Sequence, residues 1–258
     1  MPATVAAIAA KLDATACRFD IDVLPSCDST NAVLLARAEA GAPSGTVVIA
    51  TEQTAGRGRR GRSWFASPGD SLTFSLLWRF AQGTAPAGLS LAIGVAVARA
   101  LQRVGADQTA LKWPNDILPG GRKLGGILIE LVPGAPHAAV IGIGINLHLP
   151  AGMPADVRVT SAALCADAQV ADENALYAAL LGELLTTLES FAGAGFAALR
   201  PEWIKRHAFQ DDRVSLASDF GAPRLGICRG VDADGALLLE VDGQVERILS
   251  GEVSLRPA

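Results

Sequence analysis

The segment GRGRRGRSW, residues 56–64, sets Arg57, Arg59, Arg60 and Arg62 among Gly56, Gly58 and Gly61. Glycine lets a backbone approach a ligand closely and take positive φ, while each guanidinium offers a fork of donors to phosphate or carboxylate oxygens. Such a loop suits an anionic, phosphorylated ligand. The same residues would also serve as a solvated surface loop or an RGG-like nucleic-acid segment. No GxxxxGKS or GxxxxGKT occurs, and the later GIGIN lacks the third glycine of a GxGxxG fingerprint, so a bound nucleotide must be held in another way.

Three further segments carry polar groups at useful places. In KWPND and KLGGILIE, spanning Lys112 to Glu130, Lys123 stands beside Gly125 and Gly126 at a strand start. There it can reach a phosphate or carboxylate as a point charge; a hairpin with a snorkelling lysine is the alternative. Asn115 and Asp116 follow Pro114 as ordinary turn residues, although a carboxylate there could accept a proton from an amine or bind Mg²⁺. In IGIGIN, Gly142 and Gly144 interrupt a buried strand before Asn146, either for tight helix packing or for a ligand lying on the strand. CDSTN places Ser29, Thr30 and Asn31 at a helix N-cap, where capping alone would account for them. His137, His148 and His207 lack partners at metal-ligand or triad spacing, and no GxSxG elbow occurs, so no metal site and no histidine or serine chemistry is predicted.

Alternating elements must position these groups. A leading helix, a short strand at Ile21–Leu24, a helix from Thr30 to about Ala40 and a strand at Thr46–Thr51 precede the arginine segment. Beyond it the pattern predicts a buried strand at Ser71–Leu77, a helix at Leu89–Val104 and a strand stub at Leu111–Trp113. Strands at Lys123–Leu131 and Ala138–Leu147 flank a Pro/Gly turn and predict a hairpin. From Asp172, leucines at helical spacing run until Gly193 and Gly195, and a second helix surrounds Trp203. Past Asp211, RVSLAS, RLGICRGVD, ALLLEV and VERILSGEVSL read as short strands joined by Gly/Asp turns, a compact all-β module.

With 258 residues, half of them apolar, the chain can bury a core without staples. A net charge of -4 argues against a surface made for phosphate backbones, so any basic site must be local. Cys17, Cys27, Cys165 and Cys228 form no CxxC pair, which fits a reducing cytoplasm. The alanine-rich N-terminus has no basic n-region, and the uncharged stretches Phe80–Ala98 and Leu131–Ala155 are broken by Pro and Gly, so neither a signal peptide nor a membrane span is predicted.

Taken in order, the STN turn, EQTAGRGRRGRSW, KWPNDI with KLGGILIE, and GIGIN resemble the biotin protein ligase family, and GICRGVDADGALLLE with SGEVSLR resembles its small C-terminal barrel. The likeness runs from about Ile21 to Arg256. It implies an α+β fold: a mixed β-sheet backed by helices, of the class II synthetase-like kind, over residues 1–210, with a small SH3-like β-barrel over 211–258. It further implies that biotin and ATP, with Mg²⁺, give biotinyl-AMP, and that a lysine of a biotin carboxyl carrier protein then takes the biotin. On this resemblance Ser29, Thr30, Asn31 and Gln53 border the biotin head group, while Gly56, Arg57, Gly58, Arg59 and Arg62 belong to a loop closing over biotin and adenylate. Trp64 shapes the nucleotide side; Gly126, Gly142 and Gly144 form a floor for biotin; Asn115 and Asn146 stand near phosphates and metal. Chemistry falls to Lys123, which holds the carboxylate and α-phosphate, to Arg59, and to Asp116, which takes a proton from the incoming amine; Arg256 reaches the nucleotide from the second domain.

Some members of the family begin with a helix-turn-helix domain, but only 28 residues precede Ser29, so a ligase without sequence-specific DNA binding is expected. A homodimer through an exposed sheet edge is compatible with the sequence. Two rivals are weighed: a lipoate- or octanoate-attaching enzyme, whose arginine and glycine motif differs, and a nucleic-acid binder, which the acidic pI and the absence of interleaved aromatics disfavour.

Overall fold

The computed structural model describes residues 3–150, 152–167, 172–218, 222–249 and 253–257. Helix α1 (Val5–Leu12), capped by the Thr4 hydroxyl, leads to β1 (Asp20–Leu24). Then come α2 (Thr30–Glu39), β2 (Thr46–Ala50), the arginine loop, β3 (Ser71–Arg79) and α3 (Leu89–Arg103). Strands β4 (Thr109–Lys112), β5 (Asp116–Pro119), β6 (Gly125–Val132) and β7 (Ala135–Asn146) are successive antiparallel neighbours. The short α4 (Ala155–Val159) and α5 (Leu164–Asp167) precede the long α6 (Glu173–Ala194) and α7 (Arg200–Lys205). Strands β8 (Arg213–Ser218), β9 (Arg224–Val231), β10 (Leu237–Val241), β11 (Gln244–Ile248) and β12 (Val253–Pro257) end the chain.

The first seven strands form one sheet in the order β1-β2-β3-β7-β6-β5-β4, parallel only between β1 and β2. The last five form an antiparallel sheet, β11-β10-β9-β8-β12, the SH3-like unit. Side-chain alternation along the strands sorts the core. Val47, Ile49, Leu72, Phe74 and Leu76 face the large cluster under α3 and α6, whereas Val48, Leu77 and Val140 face Leu34 and Ala38 of α2. Helix α2 covers only part of its face. The uncovered part carries Thr73, Gly126, Gly142, Gly144 and Asn146, with Gly144 in register between Thr73 and Gly126, and the candidate site lies there.

By length and composition α6 could cross a membrane, yet it buries Leu176, Leu180, Leu181, Leu184 and Leu188 in the large cluster and is a core helix. Three elements depart from expectation. PND is the tip of a β4–β5 hairpin pairing Lys112 with Asp116, so the predicted stub has a partner strand. Two single turns of helix, α4 and α5, also form where nothing regular was predicted. Of the expected SGEVSL segment, Ser250, Gly251 and Glu252 lie outside the described residues.

Candidate active site

The α2 N-terminus fixes the neutral, polar end of the site. Ser29 occupies the N-cap with extended backbone but makes no capping bond; the first helical amide, of Thr30, donates instead to Gln53 Oε1 at 2.8 Å. Capping therefore does not account for Ser29, whose residue lines the cleft. Asn31 is held on both sides: its Oδ1 accepts from Ser75 Oγ (2.6 Å) and its Nδ2 donates to Glu130 Oε2 (2.8 Å). Ser75 also lies 2.7 Å from the Thr30 hydroxyl. A buried network so completely paired has one low-energy arrangement, which preorganises the polar rim.

Glycine on the neighbouring strand makes room for these side chains. A Cβ at Gly142 would meet Asn31 Oδ1 at 2.2 Å, and one at Gly144 would meet the Trp64 ring at 2.4 Å. Asn31 and Trp64 occupy the space these two glycines leave, and glycines and side chains together line the cleft. At Gly126 the neighbours are the Lys123 side chain and Trp64. Trp64 Nε1 is buried with no hydrogen-bond partner among the described residues, and the Lys123 ammonium stands 6.0 Å from its ring centroid.

The arginine loop is a small hairpin, with Gly58 N–H donating to Arg62 O (2.7 Å) and Trp64 N–H to Gly56 O (2.8 Å). Gly56 does not line the cleft; any side chain there would strike the Trp64 carbonyl at 2.4 Å, so its part is to let the loop arms meet. Arg57 crosses to Glu130 Oε1 (2.9 Å), and Arg59 Nη1 donates to Asn115 Oδ1 (3.4 Å). Burial pulls Arg59 below its usual range, opposed by Asp116 and reinforced by Arg62 and Arg60, so an anion placed beside it would favour its charged form.

Lys123 sits under the loop. Its backbone is clamped to Thr160 O and Ala162 N–H, both at 2.8 Å, and its ammonium meets Asp116 Oδ1 at 2.6 Å. Lys112 pairs with the other Asp116 oxygen at 2.8 Å. Burial alone would raise the Asp116 carboxyl, but Lys123 and Lys112 outweigh it and hold the group below the ordinary carboxylate range. Asp116 does not itself line the cleft. Asn115 Nδ2 donates to Ile127 O (2.8 Å), and Asn146 Nδ2 to Ala162 O (3.1 Å).

These parts enclose a cavity of about 580 Å³, within the range of small-molecule sites. Ser29, Thr30, Asn31, Gln53, Arg57, Gly58, Arg59, Arg62, Trp64, Asn115, Lys123, Gly126, Gly142, Gly144, Asn146 and Arg256 all line it. So do Met153, Asp156, Val157, Thr160 and Ser161 of the α4 segment, which sequence reasoning missed along with Ser75 and Glu130. Among the described residues that line the cavity, Arg57, Arg59, Arg62, Lys123 and Arg256 face a single carboxylate, Asp156. Polar pairing at one end and concentrated positive charge at the other suit a ligand with a neutral, hydrogen-bonding head and an anionic tail.

Comparison with known proteins agrees with this geometry. The model of the Biotin/lipoate A/B protein ligase family matches residues 23–146, and that of the Biotin protein ligase C terminal domain matches residues 222–256. The bifunctional ligase/repressor BirA of Escherichia coli is 43% identical over 92% of this chain and 74% of its own length. The biotin--[acetyl-CoA-carboxylase] ligase of Mycobacterium tuberculosis is 37% identical over 90% of this chain and 88% of its own. Among solved structures, the biotin protein ligase of Aquifex aeolicus in complex with biotin and ATP superposes with a TM-score of 0.79 at 27% identity, covering 93% of this chain and 99% of that one. The first family model alone spans biotin and lipoate enzymes; the second model and the relatives separate them. On both sequence and fold, this chain belongs to the biotin protein ligase family.

Proposed function

We propose that this chain activates biotin with ATP and passes it to a lysine of a carrier protein. In the first step a biotin carboxylate oxygen attacks the α-phosphorus, the bond to the bridging oxygen breaks, and pyrophosphate leaves with its electrons to give biotinyl-5'-AMP. In the second, the amine of a lysine on a biotin carboxyl carrier protein domain of a biotin-dependent carboxylase attacks the acyl carbon, AMP departs, and an amide remains. The observation that carries this reading is the convergence of Lys123, Arg57, Arg59 and Arg62 on the same cavity as the Thr30–Asn31 network.

Residue roles follow from position. Ser29, Thr30, Asn31 and Gln53 hold the biotin head, and Gly126, Gly142 and Gly144 with Asn31 and Trp64 form its floor. Lys123 holds the carboxylate and α-phosphate oxygens as charge gathers on them, and Arg59 assists from the loop. Both reactants are anionic, and the mixed anhydride between them must be kept from water, which a loop pinned at Glu130 and Asn115 accomplishes. Asp116, already paired with two lysines, serves chiefly to hold Lys123; accepting a proton from the incoming amine would require it to release one of them. ATP enters as its magnesium complex. Asn115 and Asn146, which line the cavity, would stand beside that ion, and it would supply positive charge to the phosphates. The same proposal places the boundary between catalytic and SH3-like domains near residue 210 and the enzyme in the cytoplasm, where its free thiols stay reduced.

Biotin-dependent exchange of labelled pyrophosphate into ATP tests the reading. Exchange is expected with biotin; exchange supported by lipoate and not by biotin would reverse it.

A further inference from the structure

Trp113 lies outside the cavity yet joins it to the SH3-like sheet. Its indole is fully buried, and Nε1 donates to the Gly235 carbonyl at 3.1 Å. Gly235 (φ +79°) ends the turn between β9 and β10, and a Cβ there would stand 2.8 Å from Gly88 Cα and 3.0 Å from Leu91 Cδ1. The turn is thus pressed backbone-to-backbone against the start of α3. It is stiff in itself: Asp232 Oδ1 accepts from the Asp234 N–H (2.9 Å) and the Ala236 N–H (3.0 Å), and its other oxygen pairs with Arg247 of β11.

On its other side Trp113 opens the connector between β4 and β5. Ser90 Oγ of α3 fixes the connector by donating to Pro114 O at 3.0 Å. The next residues all serve the cavity: Asn115 receives Arg59, and Asp116 holds Lys123. Hydrogen bonds and an ion pair therefore run from Arg247 through Asp232 and Gly235 to Trp113, and the short main-chain connector carries the link on to Asp116, which pairs with Lys123.

Resting on the ligase reading above, we propose that Trp113 is a positioning residue for adenylate formation. Its N–H, pinned to the Gly235 carbonyl, sets the stance of the hairpin tip and so the reach of Lys123 toward the α-phosphate. The ring supplies packing; the N–H supplies direction. The two contributions separate in Trp113→Phe, which keeps an aromatic ring and loses the donor.

The test is pyrophosphate exchange by the full chain, with rates per active site counted by the burst of biotinyl-AMP. Trp113→Phe is expected to lower kcat about fivefold to tenfold, the loss of one hydrogen bond. The KM for biotin should shift by less than about twofold, because Thr30, Asn31 and Gln53 are anchored elsewhere. Gly235→Ala should lower kcat similarly by forcing the turn off Gly88, and the double variant should be no worse than the poorer single, since both break one link. If Trp113→Phe does not fold, Arg247→Ala, at an exposed residue that stiffens the turn, carries the test: lower kcat at unchanged biotin KM supports the assignment. Unchanged kcat per site in the variant measured, or additive losses in the double variant, would overturn it. A wild-type chain without biotin-dependent exchange would overturn the ligase reading and this assignment with it, whereas normal wild-type exchange with unaffected variants overturns only the latter.

Discussion

Asp116 holds Lys123 at 2.6 Å and Lys112 at 2.8 Å, one carboxylate between two ammoniums. The second lysine makes the first expendable for folding: in Lys123→Ala the buried carboxylate keeps Lys112 as its partner and is not left an uncompensated charge. Adenylate formation should therefore fall by roughly a hundredfold or more, the cost of removing a group that faces developing charge, while the melting temperature moves little. Near-normal turnover in that variant would sink the role given to Lys123. Arg59 tests a different property. It spans the cavity to Asn115, so Arg59→Gly loses both a cation and a loop anchor. Faster escape of biotinyl-AMP is expected, seen as free adenylate in solution during turnover; retention equal to wild type would count against a closing loop.

At the scale of elements, the site depends on glycines that leave space for side chains from other segments. Gly142→Ala would set its Cβ 2.2 Å from Asn31 Oδ1, an atom held by Ser75, so the network must break or the strand must shift. A stability loss of about 1–3 kcal/mol is expected, with a biotin KM raised about tenfold, one hydrogen bond or two. Gly182→Ala is the control: the site is open, within α6, and should gain about 0.5–1 kcal/mol without altering KM. Destabilisation at Gly182, or a normal biotin KM at Gly142, measured by denaturation and steady-state kinetics, would refute the contrast. The same elements show what the sequence discloses. Strands β3 and β7 and helices α3 and α6 are legible because long apolar runs end at clear turn residues. Strand β5 is not: DILP is short, ends in proline and owes its pairing to β4 across the Trp113–Asn115 connector. Nor is α4, a single turn brought to the cavity by the Lys123–Thr160 backbone bond. Arginine and glycine advertise their part in the site by composition. Ser75 and Glu130 do not, since a polar residue at alternate strand positions reads as a solvent-facing one.

For the molecule as a whole, the two sheets share one apolar cluster, in which Val214, Leu216, Leu237 and Leu239 join Phe74, Trp113 and Trp203. Unfolding is expected as a single cooperative transition. His207 stands at the seam: the Leu111 N–H donates to Arg206 O and the Ala208 N–H to Leu111 O on either side of it, its ring lies 4.5 Å from that of Trp203, and Cys228 Sγ of β9 approaches Nδ1 at 3.9 Å. Burial pushes His207 from 6.5 down to about 4, against a smaller upward pull from Gln210. The imidazole is therefore neutral in the fold at pH 5 while the unfolded chain would protonate it. Between pH 6.5 and about 4 the unfolded state binds the extra proton, so stability rises with pH through that window and is lost as pH falls through it. The full effect is on the order of 3 kcal/mol, from the size of the shift and about 1.4 kcal/mol for each pH unit. Denaturation at pH 7 and pH 4.5 should show wild type losing more stability than His207→Phe, which keeps an aromatic ring at the seam and has no proton to take up. Equal losses in the two proteins would mean that the acid sensitivity arises elsewhere and that the seam holds as well with a charged imidazole as with a neutral one.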